Sequence, residues 1–150
     1  MKNNVVGLIA VRLKSKRLPK KALAELDNSP LIQRLHERLL KSDLLNEIIW
    51  CTSTNPEDDP LEKIAKTLKA KIFRGSELDV ISRFISASDK FNADTIVRIT
   101  GDNPLTDPEM LDYMVKCHLS HDAEYSYTED LPSGTRPEII SSSALKRCHD

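Results

Sequence analysis

Glycine is scarce in this chain. Its 150 residues include four, Gly7, Gly75, Gly101 and Gly134. None belongs to a dinucleotide fingerprint or a P-loop. A phosphate ligand would therefore have to be held by side chains and scattered amides. Aromatic residues make up only 5%, which argues against a single-strand nucleic-acid binder, because such proteins stack bases on rings. The three cysteines, Cys51, Cys117 and Cys148, are odd in number and far apart. Neither a disulfide framework nor a zinc ribbon is supported by them. No apolar run approaches membrane-spanning length. The start, Met1-Lys2-Asn3-Asn4, leads into a short apolar stretch without a small-residue cleavage site. The expectation is a cytoplasmic protein that binds no membrane.

A hydrophobic share of 39% and a charged share of 30% describe an ordinary soluble domain. The length suits one domain over residues 1–150. Net charge is close to zero, with 22 Lys and Arg against 23 Asp and Glu. The stretch 12–21 departs from that balance, because six of its ten residues are basic and none is acidic. It follows the apolar run Val5-Val6-Gly7-Leu8-Ile9-Ala10, which reads as a buried first strand. A cation cluster at the carboxyl end of a first strand suits a polyanion such as a nucleoside triphosphate, since α/β folds bind ligands beside that end. The same run also suits a solvated basic loop.

The remaining pattern alternates strand and helix. Ser29-Pro30 reads as a cap followed by proline at the first helical position, opening a helix to about Ser42. Strands are predicted over 47–52, 71–73, 95–99 and 125–127. Asp59-Pro60-Leu61-Glu62 reads as a capping box. A helix over 79–91 carries Val80, Ile81, Phe84 and Ile85 on one face. Asp107-Pro108 caps a helix to about His118, and another helix starts near Ser142. Single helices between strands imply right-handed crossovers and a mostly parallel, Rossmann-like α/β sheet covered on both faces. The stretch 130–137 is rich in loop residues.

Two further segments follow predicted strands. In Thr100-Gly101-Asp102-Asn103-Pro104, Gly101 permits a tight exit and Asp102 projects at the carboxyl edge. One carboxylate facing triphosphate oxygens can share Mg²⁺, an ion that keeps waters and substrate oxygens. Asp and Asn also form ordinary Asx turns. In Arg74-Gly75-Ser76-Glu77-Leu78-Asp79, Ser76 or Asp79 can cap the next helix, or the loop can read a base edge. Asp107 and Asp112 read as a helix cap and a helix surface residue. Cys117, His118 and His121 do not share one helix face, so a metal site there is not supported.

The segments VVGLIAVRLKSKRLPKKAL, FRGSELDVISRF, ADTIVRITGDNPLTDPEML and PSGTRPEIISSSAL together resemble the cytidylyltransferase family of spore-coat polysaccharide biosynthesis proteins. That family is related to the 3-deoxy-manno-octulosonate and acylneuraminate cytidylyltransferases. The resemblance implies the nucleotide-diphospho-sugar transferase type of fold, and activation of a sugar with CTP, Mg²⁺ and release of pyrophosphate. The family's R-x-x-S-x-R-L-P-x-K pattern falls on Arg12, Ser15, Arg17, Leu18, Pro19 and Lys21, and its G-D-x-P pattern on Gly101, Asp102 and Pro104. The implied catalytic set is Arg12, Lys21 and Asp102, with Asp102 also the metal ligand. The implied nucleotide-binding set is Ala10, Arg12, Ser15, Arg17, Lys21, Arg74, Gly75, Ser76 and Thr100. Lys14 and Lys20 stand where many members have glycine. Members usually exceed 200 residues, so the chain is expected to lack the family's C-terminal part, with its dimer contacts and a further metal-binding carboxylate. A homodimer is a further expectation. Two other readings stand beside this one: a non-catalytic nucleotide-binding or interaction module derived from that fold, and nucleic-acid binding through the basic loop with strong salt dependence.

Overall fold

A computed structural model of the protein describes residues 3–14 and 18–149. In chain order the elements are β1 (Val5–Ala10), β2 (Glu25–Leu26), β3 (Ser29–Pro30), α1 (Leu31–Leu39), β4 (Glu47–Ser53), α2 (Asp59–Leu68), β5 (Lys71–Gly75), α3 (Val80–Lys90), β6 (Thr95–Thr100), α4 (Pro108–Ser120), β7 (Tyr125–Ser126), β8 (Glu138–Ser141) and α5 (Ser142–Arg147). Six strands form one sheet in the order β5-β4-β1-β6-β8-β7. The first four of these run parallel, and β8 returns antiparallel against β6, with β7 antiparallel to β8. The mostly parallel sheet expected from the sequence is present. The helices cover both faces. Leu35 of α1, Leu61 of α2 and Leu111 of α4 pack on Ile9, Trp50 and Ile99. On the other face, Phe84 of α3 and Leu145 of α5 pack on Leu8, Ile49 and Ile96. Burial on both faces explains why β1, β4 and β6 read as continuous apolar runs rather than alternating ones.

Successive strands β1, β4 and β5 step in one direction, and β6 then joins the other side of β1. This reversal between β1 and β6 makes a topological switch point. A crevice opens there because the connections leave the two strands in opposite directions.

Several local expectations give way to tertiary context. Ser29 does not cap α1. Asp27 and Asn28 both adopt left-handed backbone, with φ of 51° and 61°, and close the tight β2–β3 hairpin that such residues favour. The hairpin absorbs Ser29-Pro30, and Pro30 starts α1 without a side-chain cap. The capping box at Glu62 is also absent. A 3₁₀ turn over Pro56–Asp58 runs straight into α2. Glu62 instead meets Arg74 at 2.9 Å and Lys66 at 3.2 Å. On α3, Val80 and Ile81 are exposed, and the buried side chains are Arg83, Phe84, Ala87 and Ser88. The first turn of α3 lies at the carboxyl edge, where little sheet remains to cover it. Asp112 is buried rather than on the surface. Its carboxylate accepts the Ser42 hydroxyl at 2.5 Å and the Asp43 amide at 2.8 Å, tying α4 to the turn before β4. Strand β8 was not legible. Its pairing with β6 joins residues forty or more apart in the chain, and its four residues follow a loop rich in proline and glycine.

Candidate functional site

The cleft at the switch point is about 600 Å³. Ala10, Val11 and Arg12 form its floor at the end of β1; Lys14, Lys21 and Ala22 come from the loop that follows. Thr100, Gly101 and Asp102 flank one side, and Glu77 and Leu78, after β5, flank the other.

The floor is built by close approach. The Gly101 amide donates to the Ala10 carbonyl at 2.8 Å, and the Val11 amide to the Cys51 carbonyl at 3.1 Å. A Cβ at Gly101 would lie 2.8 Å from Val11 Cβ and 3.0 Å from the Ala10 oxygen. Glycine is needed there for space between two strand ends.

The basic loop is fastened at its root. Buried Asp58 accepts the Leu13 amide at 2.7 Å, and the hydroxyl of Ser53 at 2.5 Å. Leu13 is itself buried, and its carbonyl accepts the Lys20 amide at 2.9 Å, which closes the loop. The anchored root lifts Arg12 and Lys14, both exposed, over the end of the sheet. Ser15 and Arg17 lie outside the described residues. Arg12 makes no hydrogen bond or ion pair among the described residues. Lys21 Nζ stands 3.3 Å from Asp102 Oδ2, with both side chains nearly half exposed. Such an exposed pair contributes little to stability, so both groups can exchange partners for a ligand.

The β5 loop divides into structural and cleft-facing residues. Arg74 does not face the cleft. Its guanidinium donates to the Ser53 and Asn55 carbonyls and pairs with Asp59 at 2.7 Å and Glu62 at 2.9 Å. Gly75 is a packing position, because a Cβ there would meet Arg83 Cγ and Phe73 Cε1 at 3.0 Å. Ser76 Oγ accepts the Asp79 amide at 3.0 Å, and Asp79 caps α3 by accepting the Ser82 amide at 2.8 Å. Arg74, Gly75 and Ser76 do not line the cleft, to which this loop contributes Glu77 and Leu78 as a wall. Arg83, 3% exposed, holds that wall by donating to the Ser76 carbonyl at 2.7 Å. Burial pulls its pKa below the usual guanidinium value. Glu77 is held below the usual carboxylate range, first by a hydrogen bond from Asn55 and then by the charges of Lys14 and Arg12.

The structure therefore brings together Ala10, Arg12, Lys21, Thr100 and Asp102. Sequence reasoning did not single out Asp58, which anchors the loop, or Glu77 and Leu78, which line the cleft. Glu77 was at least inside a segment already of interest. Asp58 sits in an acidic, proline-flanked run that carries no signal of burial. Among the described residues, no group of three or more His, Cys, Asp or Glu side chains could hold a metal ion. No helix among them is long and apolar enough to cross a membrane.

Compared with known proteins, residues 6–150 match the family model described as Cytidylyltransferase. The chain belongs to the cytidylyltransferase family. Among curated relatives, it is 39% identical over 143 residues to the uncharacterized protein MJ1063 of Methanocaldococcus jannaschii, covering 95% of this chain and 59% of the relative. It is 33% identical over 147 residues to the spore coat polysaccharide biosynthesis protein SpsF of Bacillus subtilis, covering 95% of this chain and 61% of the relative. A solved structure of a cytidylyltransferase from Leptospira borgpetersenii superposes with a TM-score of 0.92 at 33% identity, covering 99% of this chain and 64% of that one. The chain thus spans about three-fifths of the length of the family members it matches.

Proposed function

We propose that the cleft binds CTP, and that the protein serves to activate a sugar for a cell-surface polysaccharide, with release of pyrophosphate. The observation that carries this is the convergence of Arg12 and Lys21 with Asp102 across the switch-point crevice of a cytidylyltransferase-family chain. Similarity to SpsF supports the polysaccharide setting.

In this reading Arg12 and Lys21 bind the triphosphate oxygens, Arg12 with its forked donors and Lys21 as a mobile point charge. A sugar hydroxyl oxygen attacks the α-phosphorus as its proton leaves to solvent. The bond from that phosphorus to the bridging oxygen breaks, and pyrophosphate departs. The two cations offset charge on the phosphates as that bond breaks, so the contribution of these residues is positioning and electrostatics. The donor set fits Mg²⁺ that arrives with the nucleotide. Asp102 would hold it with one half-exposed carboxylate at the cleft, since this ion can be bound through a single carboxylate shared with substrate oxygens. When bound, the ion would neutralise phosphate charge.

Titration of CTP and cytidine, with and without Mg²⁺, tests the reading. Lys21→Ala is expected to weaken CTP about tenfold or more, the loss of a charge-assisted hydrogen bond, and to leave cytidine nearly unchanged. Equal losses for both ligands would overturn the assignment. A second reading, binding without turnover, draws on the two other acids near this site in sequence. Asp107 caps α4 and Asp112 is buried at the opposite edge, so neither supplements Asp102. Pyrophosphate release by the 150-residue chain, with a panel of sugar acids and amino sugars, separates the two readings.

A further inference from the structure

Glu77 is a carboxylate in a cleft otherwise suited to anions. Asp102, the other carboxylate lining it, is matched by Lys21. Glu77 follows β5 and Asp102 follows β6, on opposite sides of β1, so the two flank the cleft floor from either side. A triphosphate is repelled by Glu77 and drawn to Arg12 and Lys21. The base of the same nucleotide is then left to the Glu77 side. Leu78, 90% exposed, offers a flat apolar surface there for a base to lie against.

The two oxygens of Glu77 are unequal. Oε2 accepts a hydrogen bond from the side-chain Nδ2 of Asn55 at 3.0 Å, which fixes the carboxylate in place. Oε1 faces Lys14 Nζ at 3.6 Å, beyond hydrogen-bond distance. Lys14 is largely exposed and can swing to a phosphate, leaving Oε1 without a donor. An ionised carboxylate accepts and cannot donate. We infer that Glu77 selects the base: Oε1 accepts the exocyclic amine of cytosine, and uracil, whose carbonyl occupies that position, meets it lone pair to lone pair. This rests on the reading of the cleft as a pyrimidine triphosphate site.

The test measures CTP and UTP binding to the full chain by calorimetry, for wild type, Glu77→Gln and Lys21→Ala, with thermal melting to confirm that each variant is folded. Wild type is expected to prefer CTP about tenfold or more, as sites built around a polar edge reject an analogue that mismatches it. Glu77→Gln is expected to narrow that preference to about threefold or less, largely through tighter UTP, because a carboxamide can turn its nitrogen toward the uracil carbonyl. Lys21→Ala should weaken both nucleotides and leave the ratio alone. A CTP preference that survives Glu77→Gln, or a wild type that does not discriminate, would overturn the role of Glu77 while the cleft reading stands. Binding of neither nucleotide would overturn both.

Discussion

Replacing Asp58 should damage the site without touching any residue that meets a ligand. Its carboxylate is 2% exposed and accepts from three donors: the Leu13 amide at 2.7 Å, and the Ser53 hydroxyl and amide at 2.5 and 3.3 Å. Asp58→Ala strands all three. A buried donor left unpaired costs about 1–3 kcal/mol, and water admitted to the vacated space offsets part, so a net loss of about 3 kcal/mol is expected. For a chain of this size that lowers Tm by roughly 6–12 °C. The same change frees the root of the basic loop. If the loop then spends about a tenth of its time in the binding geometry, the apparent Kd rises about tenfold. Asp112→Ala is the control. That carboxylate also accepts three donors, from Ser42, Asp43 and Leu44, but at the opposite edge of the sheet. It should cost similar stability and leave CTP affinity within about twofold, since distant sites act nearly independently. Thermal melting and CTP calorimetry on both variants provide the readout. Equal loss of affinity in the two, or unchanged affinity in Asp58→Ala, would refute the claim that this anchor shapes the loop.

Two other outcomes are expected. Gly101→Ala places a Cβ 2.8 Å from Val11 Cβ, so urea unfolding should show a loss of about 1–3 kcal/mol from overpacking, with weaker CTP binding; unchanged values for both would show that the strand ends separate freely. Stability should also fall between pH 7.5 and 5.5. Burial lowers the pKa of His36, whose Nδ1 accepts the Trp50 indole N–H at 3.2 Å, and that of His118. The unfolded chain takes up protons near pH 6.5 while the folded one resists, so this stability is present above that pH and is lost as pH falls toward the depressed folded values. The lowered carboxylates Glu37, Glu62, Glu77 and Asp79 act in the same direction at more acid pH, as it falls from the ordinary carboxylate values toward their depressed folded ones, outside this window. Melting curves across pH 5.5–7.5 should therefore flatten when both histidines are replaced.

The apolar runs of β1, β4 and β6, and the Asp107 and Asp79 caps, were legible in the sequence because they rest on interactions between near neighbours in the chain. The basic loop and Gly101-Asp102 could each be placed at a strand end for the same reason. Because both follow strands of a parallel sheet, a shared cleft at its carboxyl end was expected as well, and the structure has it. What the chain pattern did not supply is the strand order that makes it, with β6 pairing with β1 rather than with β5, a choice made by packing across the whole sheet. The same long-range packing turned Arg74 toward Ser53, Asn55, Asp59 and Glu62, away from the ligand side. It buried Asp58 and Asp112 in roles that no local pattern marks, and it exposed Val80 and Ile81 where the helix outruns its sheet. Periodicity and turn chemistry reach only a few residues along the chain, so the sequence by itself determined the elements and the chemistry at their ends. Which strands pair, and which side chains are left free to meet a ligand, depends on burial and hydrogen bonding between distant segments, and only the tertiary structure decided them.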